Sequence, residues 1–424
     1  MTERLMIQLK RPASILIMAN FGSLGLGLIS AALQARLLGP EGRGELATAM
    51  VPAGIAGMLL CLGLPDYFAR QAAKGQALRP LALAAAALGL SVGAVVVVPY
   101  IWAAQLLVPA GTPAWYLLVT YAALTPVTTF GYCIVSLAVG AGWWKTVAIA
   151  KLAPQCLAVL GLAALSVPGA SPGTVGALLI ATSVVGLLLP LTRRAIWPMG
   201  QLTRSDLRTA LSFGLRGWPA GAFALMNQRI DLLILTALAS KEQLGYYAVA
   251  TTLAAVLTAV SNSVAMPTRN RVSRGEQEVV PPITAATMAA TLIVAGAVIL
   301  VLPALVNFVL GPSFLPAMPV MIILLAAQVP MAGIVIMTQS LIGVGKPSLP
   351  FYGEIFALVT TASIVVILVP QFGITAAAWA NLSGNVISFC TLIFLSQRYV
   401  SRRPPWRYLF IRPRHLALIM KGSQ

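Results

Sequence analysis

Charge is scarce in this chain. Of its 424 residues only 9% are Asp, Glu, Lys or Arg, and ten are acidic. There is one histidine, His415, and there are four cysteines, Cys61, Cys133, Cys156 and Cys390. The cysteines lack CxxC or CxxxH spacing and each falls in an apolar run, so they read as core thiols rather than metal ligands or a disulfide framework. His415 has no metal-binding partners around it, and no cofactor is expected. A GxxxxGK[ST] phosphate loop is absent, which excludes transport driven by a P-loop nucleotide site. What fills the chain is hydrophobic side chain, 59% of residues, with a mean hydropathy of +0.90. Soluble domains carry roughly 45–50% apolar and about 25% charged residues. Apolar runs of about 20 residues recur from Ile15 to the end, where a signal peptide would supply only one. An all-α integral membrane protein follows.

The runs between Gly, Pro and charged breaks predict twelve membrane helices, at about 14–38, 45–68, 79–108, 112–140, 146–167, 173–192, 209–239, 244–268, 280–308, 315–344, 349–370 and 373–397. The formal net charge of +18 would suggest nucleic acid in a soluble protein. Here the cations sort by side. One set of loops and the two ends hold 23 of them, including Lys145 and Lys151, whereas the other side has three, Arg36, Arg43 and Lys241. Lys and Arg resist translocation, so the rich side and both termini are expected in the cytoplasm and no nucleic-acid partner is needed.

The chain also repeats itself. At an offset of 201, Glu41 meets Glu242, Gly44 meets Gly245, Ala47 meets Ala248, Ala49 meets Ala250 and Arg70 meets Arg271. Gly140-x-Gly142 ahead of Lys145 is echoed by Gly343-x-Gly345 ahead of Lys346, and Gly173, Ala177 and Ser183 by Gly373, Ala377 and Ser383. Two pseudo-symmetric six-helix lobes, 1–192 and 209–398, are expected, with a basic cytoplasmic linker at 193–208 and a basic tail at 399–424. Lobes with an even number of spans are parallel repeats, an arrangement used by alternating-access transporters. The tail alternates cations with aromatic and aliphatic residues, which suits an interfacial segment on anionic membrane lipids.

The ordered set "RLLGPEGRGELATA", "LGLPDYFARQAAKG", "SFGLRGWPAGAFALMNQRIDLLIL", "LGYYAVATTLAAVL", "LGPSFLPAMPVMIILLAA", "LIGVGKPSL" and "LVPQFGITAAAWANLSGNV" resembles the bacterial polysaccharide-export flippases. These are the O-antigen and exopolysaccharide repeat-unit flippases of the multidrug/oligosaccharidyl-lipid/polysaccharide superfamily. The resemblance covers essentially the whole chain. It implies the MATE-like fold of two six-helix lobes forming a V, in the bacterial inner membrane, with helices 1, 2, 7 and 8 lining a cavity. It also implies a polyprenyl-diphosphate-linked oligosaccharide carried from the cytoplasmic to the outer leaflet. A polysaccharide polymerase and glycosyltransferases are the partners to expect.

A charge near the bilayer centre costs roughly 2.5–3.5 kcal/mol, so ionisable residues within the runs are functional candidates. The run 209–239 holds Arg216, Arg229 and Asp231. At 100° per residue Arg216, Phe223, Asn227 and Asp231 fall within about 60° of one another. Arg216 offers a cation to a diphosphate, or else snorkels to lipid phosphates at the inner interface. Asp231 is the coupling candidate for a proton or cation, or else pairs structurally with Arg229 or Asn227. Thr251, Thr258 and Asn262 share a face of the next run and, like Asn20 and Gln34 in the first, offer neutral groups to sugar hydroxyls or bridge packed helices. Arg36 is expected as an interface anchor. Pro52 and Pro219 interrupt helical runs and are the hinge candidates. Asp66 and Arg70 stand at i,i+4, where an ion pair is expected. Glu354 faces either a cavity mouth or Lys346.

Two other readings remain. A multidrug antiporter of the same superfamily is expected to carry an acidic residue in its first helices, and the first run here has none. A polytopic polymerase or ligase needs a large extracytoplasmic loop with clustered catalytic groups, whereas every predicted outer loop is short.

Overall fold

The structure is a computed structural model and describes residues 2–165 and 170–409. The described residues form thirteen α-helices and no strands: α1 Thr2–Leu59, α2 Leu64–Ala73, α3 Leu78–Leu107, α4 Pro113–Gly140, α5 Trp144–Leu165, α6 Pro172–Leu188, α7 Arg204–Leu238, α8 Lys241–Ala254, α9 Thr258–Ser273, α10 Val280–Leu305, α11 Met318–Gly343, α12 Pro350–Phe372 and α13 Ile374–Tyr399. Local chemistry sets several of these starts. Pro113 and Pro172 stand in the first turn, where a missing N–H costs nothing. Thr112 and Ser171 cap the same two helices by accepting from Trp115 N at 3.2 Å and Thr174 N at 3.2 Å.

Among the described residues ten stretches are long and apolar enough to cross a membrane, making this a multi-pass membrane protein. One of them, Met18–Gly57, has 40 residues. That is about 60 Å of helix, twice a hydrocarbon core of about 30 Å. Gly39 breaks it in the middle with φ 62° and ψ −176°, a conformation glycine adopts at little cost. The stretch therefore supplies two crossings. α7, 35 residues long with Arg216, Arg229 and Asp231 inside it, is not among the ten. With these two points, each of the twelve predicted runs is helical.

Two predicted runs are discontinuous. The run 45–68 breaks at Leu60–Gly63, where Leu62 and Gly63 take φ 49° and 70° before α2 begins. The run 244–268 is split between α8 and α9 by a 3-10 turn, Ala255–Leu257. Two further expectations fail. Cys61 and Cys133 are buried, but Cys156 and Cys390 are exposed on helix faces outside the core. Asp66 and Arg70 form no ion pair, because the Arg70 guanidinium lies over the Phe213 ring, 5.2 Å from its centroid.

By its contacts the chain divides into two units, Met1–Leu225 and Met226–Gln424, with the division inside α7. In the first unit α4 packs against α3, α2, α1 and α6. The start of α7 belongs to this unit. Gly214 meets Gly63 so closely that a Cβ on Gly63 would stand 2.5 Å from Gly214 O. The Leu60–Gly63 break frees Leu59 O, which accepts from Trp218 Nε1 at 2.6 Å. The basic stretch before α7 is packed too: Ile196 is fully buried among Leu64, Phe68 and Ala210, and Arg193 donates to Thr146 Oγ1 at 3.0 Å. In the second unit α11 and α13 are central, with α10 and α12 against them.

The repeat is visible in the backbone of each unit. α2 ends with Gly75 N bonded to Ala72 O and Gln76 N to Gln71 O; α9 ends with Gly275 N bonded to Val272 O and Glu276 N to Arg271 O. Gly75 and Gly275 both have positive φ, 81° and 94°. α4 ends with Trp143 N bonded to Ala138 O, and α11 with Lys346 N bonded to Leu341 O. A Cβ on Gly140 would stand 2.1 Å from Ala69 O, and one on Gly343 3.0 Å from Arg269 O. The same close crossing is thus built twice. Of the tail, 399–409 is described: Tyr408 is buried and donates to Ser401 O at 3.3 Å, and Arg403 is bonded to Glu278. His415 and the interfacial segment beyond 409 lie outside the described residues.

Candidate functional site: a buried carboxylate cavity in the second unit

Asp231 is 1% exposed and is the single buried charged residue among the described residues. A carboxylate survives burial only when its lone pairs are satisfied. Here Oδ1 accepts from Leu232 N at 2.7 Å, and Oδ2 from Tyr247 Oη at 2.6 Å and Asn381 Nδ2 at 2.9 Å. The expected pairing with Arg229 or Asn227 is not the one formed. Asn227 instead donates to Glu354 Oε2 at 2.5 Å. Asp231 thereby ties α7 to α8 and α13, while Asn227 ties α7 to α12.

Beside this node is a cavity of 150 Å³. Of the sequence candidates, Asn227, Arg229, Asp231, Thr251 and Thr258 line it. The 3-10 turn between α8 and α9 lies in the same wall, with Ala255 lining the cavity between the two threonines. Their hydroxyl protons are spent on their own helix, Thr251 to Ala248 O at 3.0 Å and Thr258 to Ala255 O at 2.6 Å, which leaves hydroxyl oxygens as acceptors. Glu354, unassigned from sequence, also lines the cavity, with Asn227 as its hydrogen-bond partner. Gln328, Asn381 and Asn385 were missed entirely. Asn385 Nδ2 donates to Asn381 Oδ1 at 3.2 Å, and Gln328 Oε1 is buried with no partner. Among the described residues no three His, Cys, Asp or Glu come together. The cavity brings together the carboxylates of Asp231 and Glu354, the Arg229 guanidinium, several amides and the threonine hydroxyl oxygens; Glu354, with a single amide partner, is the group in it that can accept a proton or a small hard cation.

The other candidates lie elsewhere. Arg216 and Asn262 are exposed and do not line this cavity. Asn20 is exposed and accepts from Lys151 Nζ at 2.5 Å. Gln34 is buried, donates to Ser30 Oγ at 2.9 Å and leaves its Oε1 unpartnered. So Asn20 and Gln34 do not act from one face. Pro52 is buried and Pro219 exposed, both within continuous helix. Lys151, sorted from sequence into a loop, sits inside α5 within the candidate span Trp144–Leu165. The predicted run 146–167 already contains position 151, so an intramembrane lysine is legible there although the charge sorting places it with the loop cations.

The comparisons with known proteins fit this architecture. The chain is similar in structure to the lipid II flippase MurJ in an inward closed conformation, with TM-score 0.78 and 15% identity over 96% of this chain and 92% of that one. It is similar to a multidrug resistance MATE family transporter of the MOP superfamily in an inward-facing conformation, with TM-score 0.73 and 15% identity over 89% and 95%. A MOP superfamily transporter from Pyrococcus furiosus, described as having a binding pocket of reversed polarity, aligns with TM-score 0.63 and 14% identity over 93% and 97%. At such identities these likenesses establish the fold. No curated protein sequence matches the chain. The family described as polysaccharide biosynthesis protein matches residues 9–273, more than half of the sequence, and the chain therefore belongs to that family.

Proposed function

We propose that this protein is a flippase that carries a polyprenyl-diphosphate-linked oligosaccharide from the cytoplasmic to the outer leaflet of the bacterial cytoplasmic membrane. It works by alternating access between its two repeats, with both termini in the cytoplasm and no chemistry on the substrate. The observation that carries the reading is an intramembrane cation without a carboxylate. Lys151 is exposed, inside α5, and bonded to the neutral Asn20. The acidic residues at 41, 45, 66 and 206 of the same unit lie near the Gly39 break or in the first turns of α2 and α7. A cation held this way in a membrane helix is a default functional group, and a diphosphate is the anion that family membership suggests. Arg216 and Arg229 add cationic contacts, and Asn20, Gln34, Thr251, Thr258, Asn227 and Asn262 supply the polar groups that sugar hydroxyls need. Asp231 and Glu354 form the coupling element, Glu354 exchanging a proton or cation and Asp231 holding α7, α8 and α13 in register.

The same two carboxylates favour a second reading, an ion-coupled multidrug antiporter, since that activity also needs an exchangeable acid. Expression in a strain lacking its own flippase separates the two. Wild type is expected to clear the cytoplasmic build-up of lipid-linked glycan, and Arg216→Ala and Asp231→Asn to clear it poorly. An unchanged build-up together with faster efflux of small organic cations overturns the flippase reading.

A further inference from the structure

A second, apolar opening lies apart from the carboxylate cavity. α9 and α10 are joined by a short turn, and along their seam runs a groove of 330 Å³. Val260, Val264 and Ile283 form its walls, and the small Ala286 and Ala290 open it. The hydroxyls along it are spent internally: Ser263 donates to Val260 O at 2.7 Å, Thr268 to Val264 O at 2.8 Å and Thr287 to Ile283 O at 2.8 Å. Its interior therefore presents methyl and methylene groups to an occupant. At one end stands Arg271, held by Nε to Glu276 Oε2 at 2.8 Å. Arg269 and Arg274 are in the same turn, and the next carboxylate, Glu278, is engaged by Arg403. That end is net cationic.

The dimensions narrow the occupant. From Val260 to Arg271 α9 rises about 16 Å at 1.5 Å per residue, about half of a 30 Å hydrocarbon core. The groove spans one leaflet. We infer that it holds one acyl chain of an anionic phospholipid of the leaflet on the Arg271 side, with the lipid phosphate at Arg271. A polyprenyl chain is several leaflets long and has no reason to stop at this depth. A free phosphate has no use for apolar walls, and a zwitterionic headgroup gains less from the guanidinium cluster.

Native mass spectrometry of the full-length protein, delipidated and then offered phosphatidylglycerol, phosphatidylethanolamine or polyprenyl phosphate at equal concentration, tests this. Wild type is expected to retain one phosphatidylglycerol in preference to the other two. Ala286→Trp, which fills the groove, lowers that retention by about tenfold, the equivalent of about 1.4 kcal/mol. Arg271→Gln keeps the chain contact but removes the preference over phosphatidylethanolamine, so the proposal stays testable if Ala286→Trp fails to fold. Equal retention of the two phospholipids by wild type, a preference for polyprenyl phosphate, or a phosphatidylglycerol preference unchanged in Arg271→Gln overturns it.

Discussion

In the first unit the polar pair inside the membrane helices is a lysine on an amide, Lys151 on Asn20. In the second it is a carboxylate on an amide, Glu354 on Asn227. Glu354 follows Lys151 by 203 positions, the offset that also relates Gly142 to Gly345. Asp231 follows the buried Ser30 by 201, the offset that relates Glu41 to Glu242. The two units repeat their helix ends and close glycine crossings while reversing the charge they hold between those ends. Backbone hydrogen bonds and glycine contacts make the fold, so both copies keep them. Intramembrane charge is costly, and the two copies place opposite signs at this one position, although the second unit also carries Arg229 beside its carboxylates. On the proposed function, the Lys151 pair serves an anionic substrate and the Glu354 pair a proton or cation.

The predictions test that division. The largest effect is expected at Asp231. Asp231→Ala leaves Asn381 Nδ2 without its acceptor and Tyr247 Oη with only Ala377 O at 3.4 Å and should cost about 3 kcal/mol, whereas Ser30→Ala at the equivalent position loses one neutral hydrogen bond, about 1 kcal/mol. Unfolding in mixed micelles measures both, and equal costs would break the comparison. Next comes packing. Gly140→Ala puts a methyl 2.1 Å from Ala69 O and should destabilise by about 2–3 kcal/mol; Gly343→Ala, at 3.0 Å from Arg269 O, should cost about 1 kcal/mol. The reverse order would mean that the first crossing relaxes more easily than the second.

The charged pairs should separate binding from coupling. Lys151→Gln is expected to weaken binding of a polyprenyl diphosphate about tenfold, about 1.4 kcal/mol, and to leave the response to an imposed ion gradient intact. Glu354→Gln is expected to do the opposite, abolishing the gradient response with little effect on binding. Binding by fluorescence anisotropy and transport with and without a gradient read the two. The smallest effect belongs to Trp218→Phe, which loses the bond to Leu59 O and should lower stability by about 1 kcal/mol without changing transport.

Much of this architecture is legible in the sequence, because a membrane helix announces itself by twenty apolar residues. Breaks inside such runs are less legible. Leu60–Gly63 and Ala255–Leu257 are apolar or small, and only tertiary contacts, such as Trp218 on Leu59 O, decide that the helix yields there. The site divides in the same way. Asn227, Arg229, Asp231, Thr251 and Thr258 stand out as polar groups in apolar runs and do line one cavity. Gln328, Asn381 and Asn385 carry the same signal, but amides scattered over two distant helices gain meaning only when the fold gathers them. Lys151 lies inside the predicted run 146–167, and only its grouping with the loop cations sets it apart from the intramembrane candidates. Helical phase alone joined Asn20 to Gln34, but neighbouring helices cover Gln34 and leave Asn20 exposed beside Lys151.

The most direct test of the central claim is reconstitution. The purified protein in liposomes carrying a polyprenyl-diphosphate oligosaccharide on the inner face only is followed with a membrane-impermeant glycosidase outside. Glycan should become accessible with time in wild-type vesicles and much more slowly with Lys151→Gln. Accessibility no faster than in protein-free vesicles, alongside transport of a cationic dye, would contradict the account.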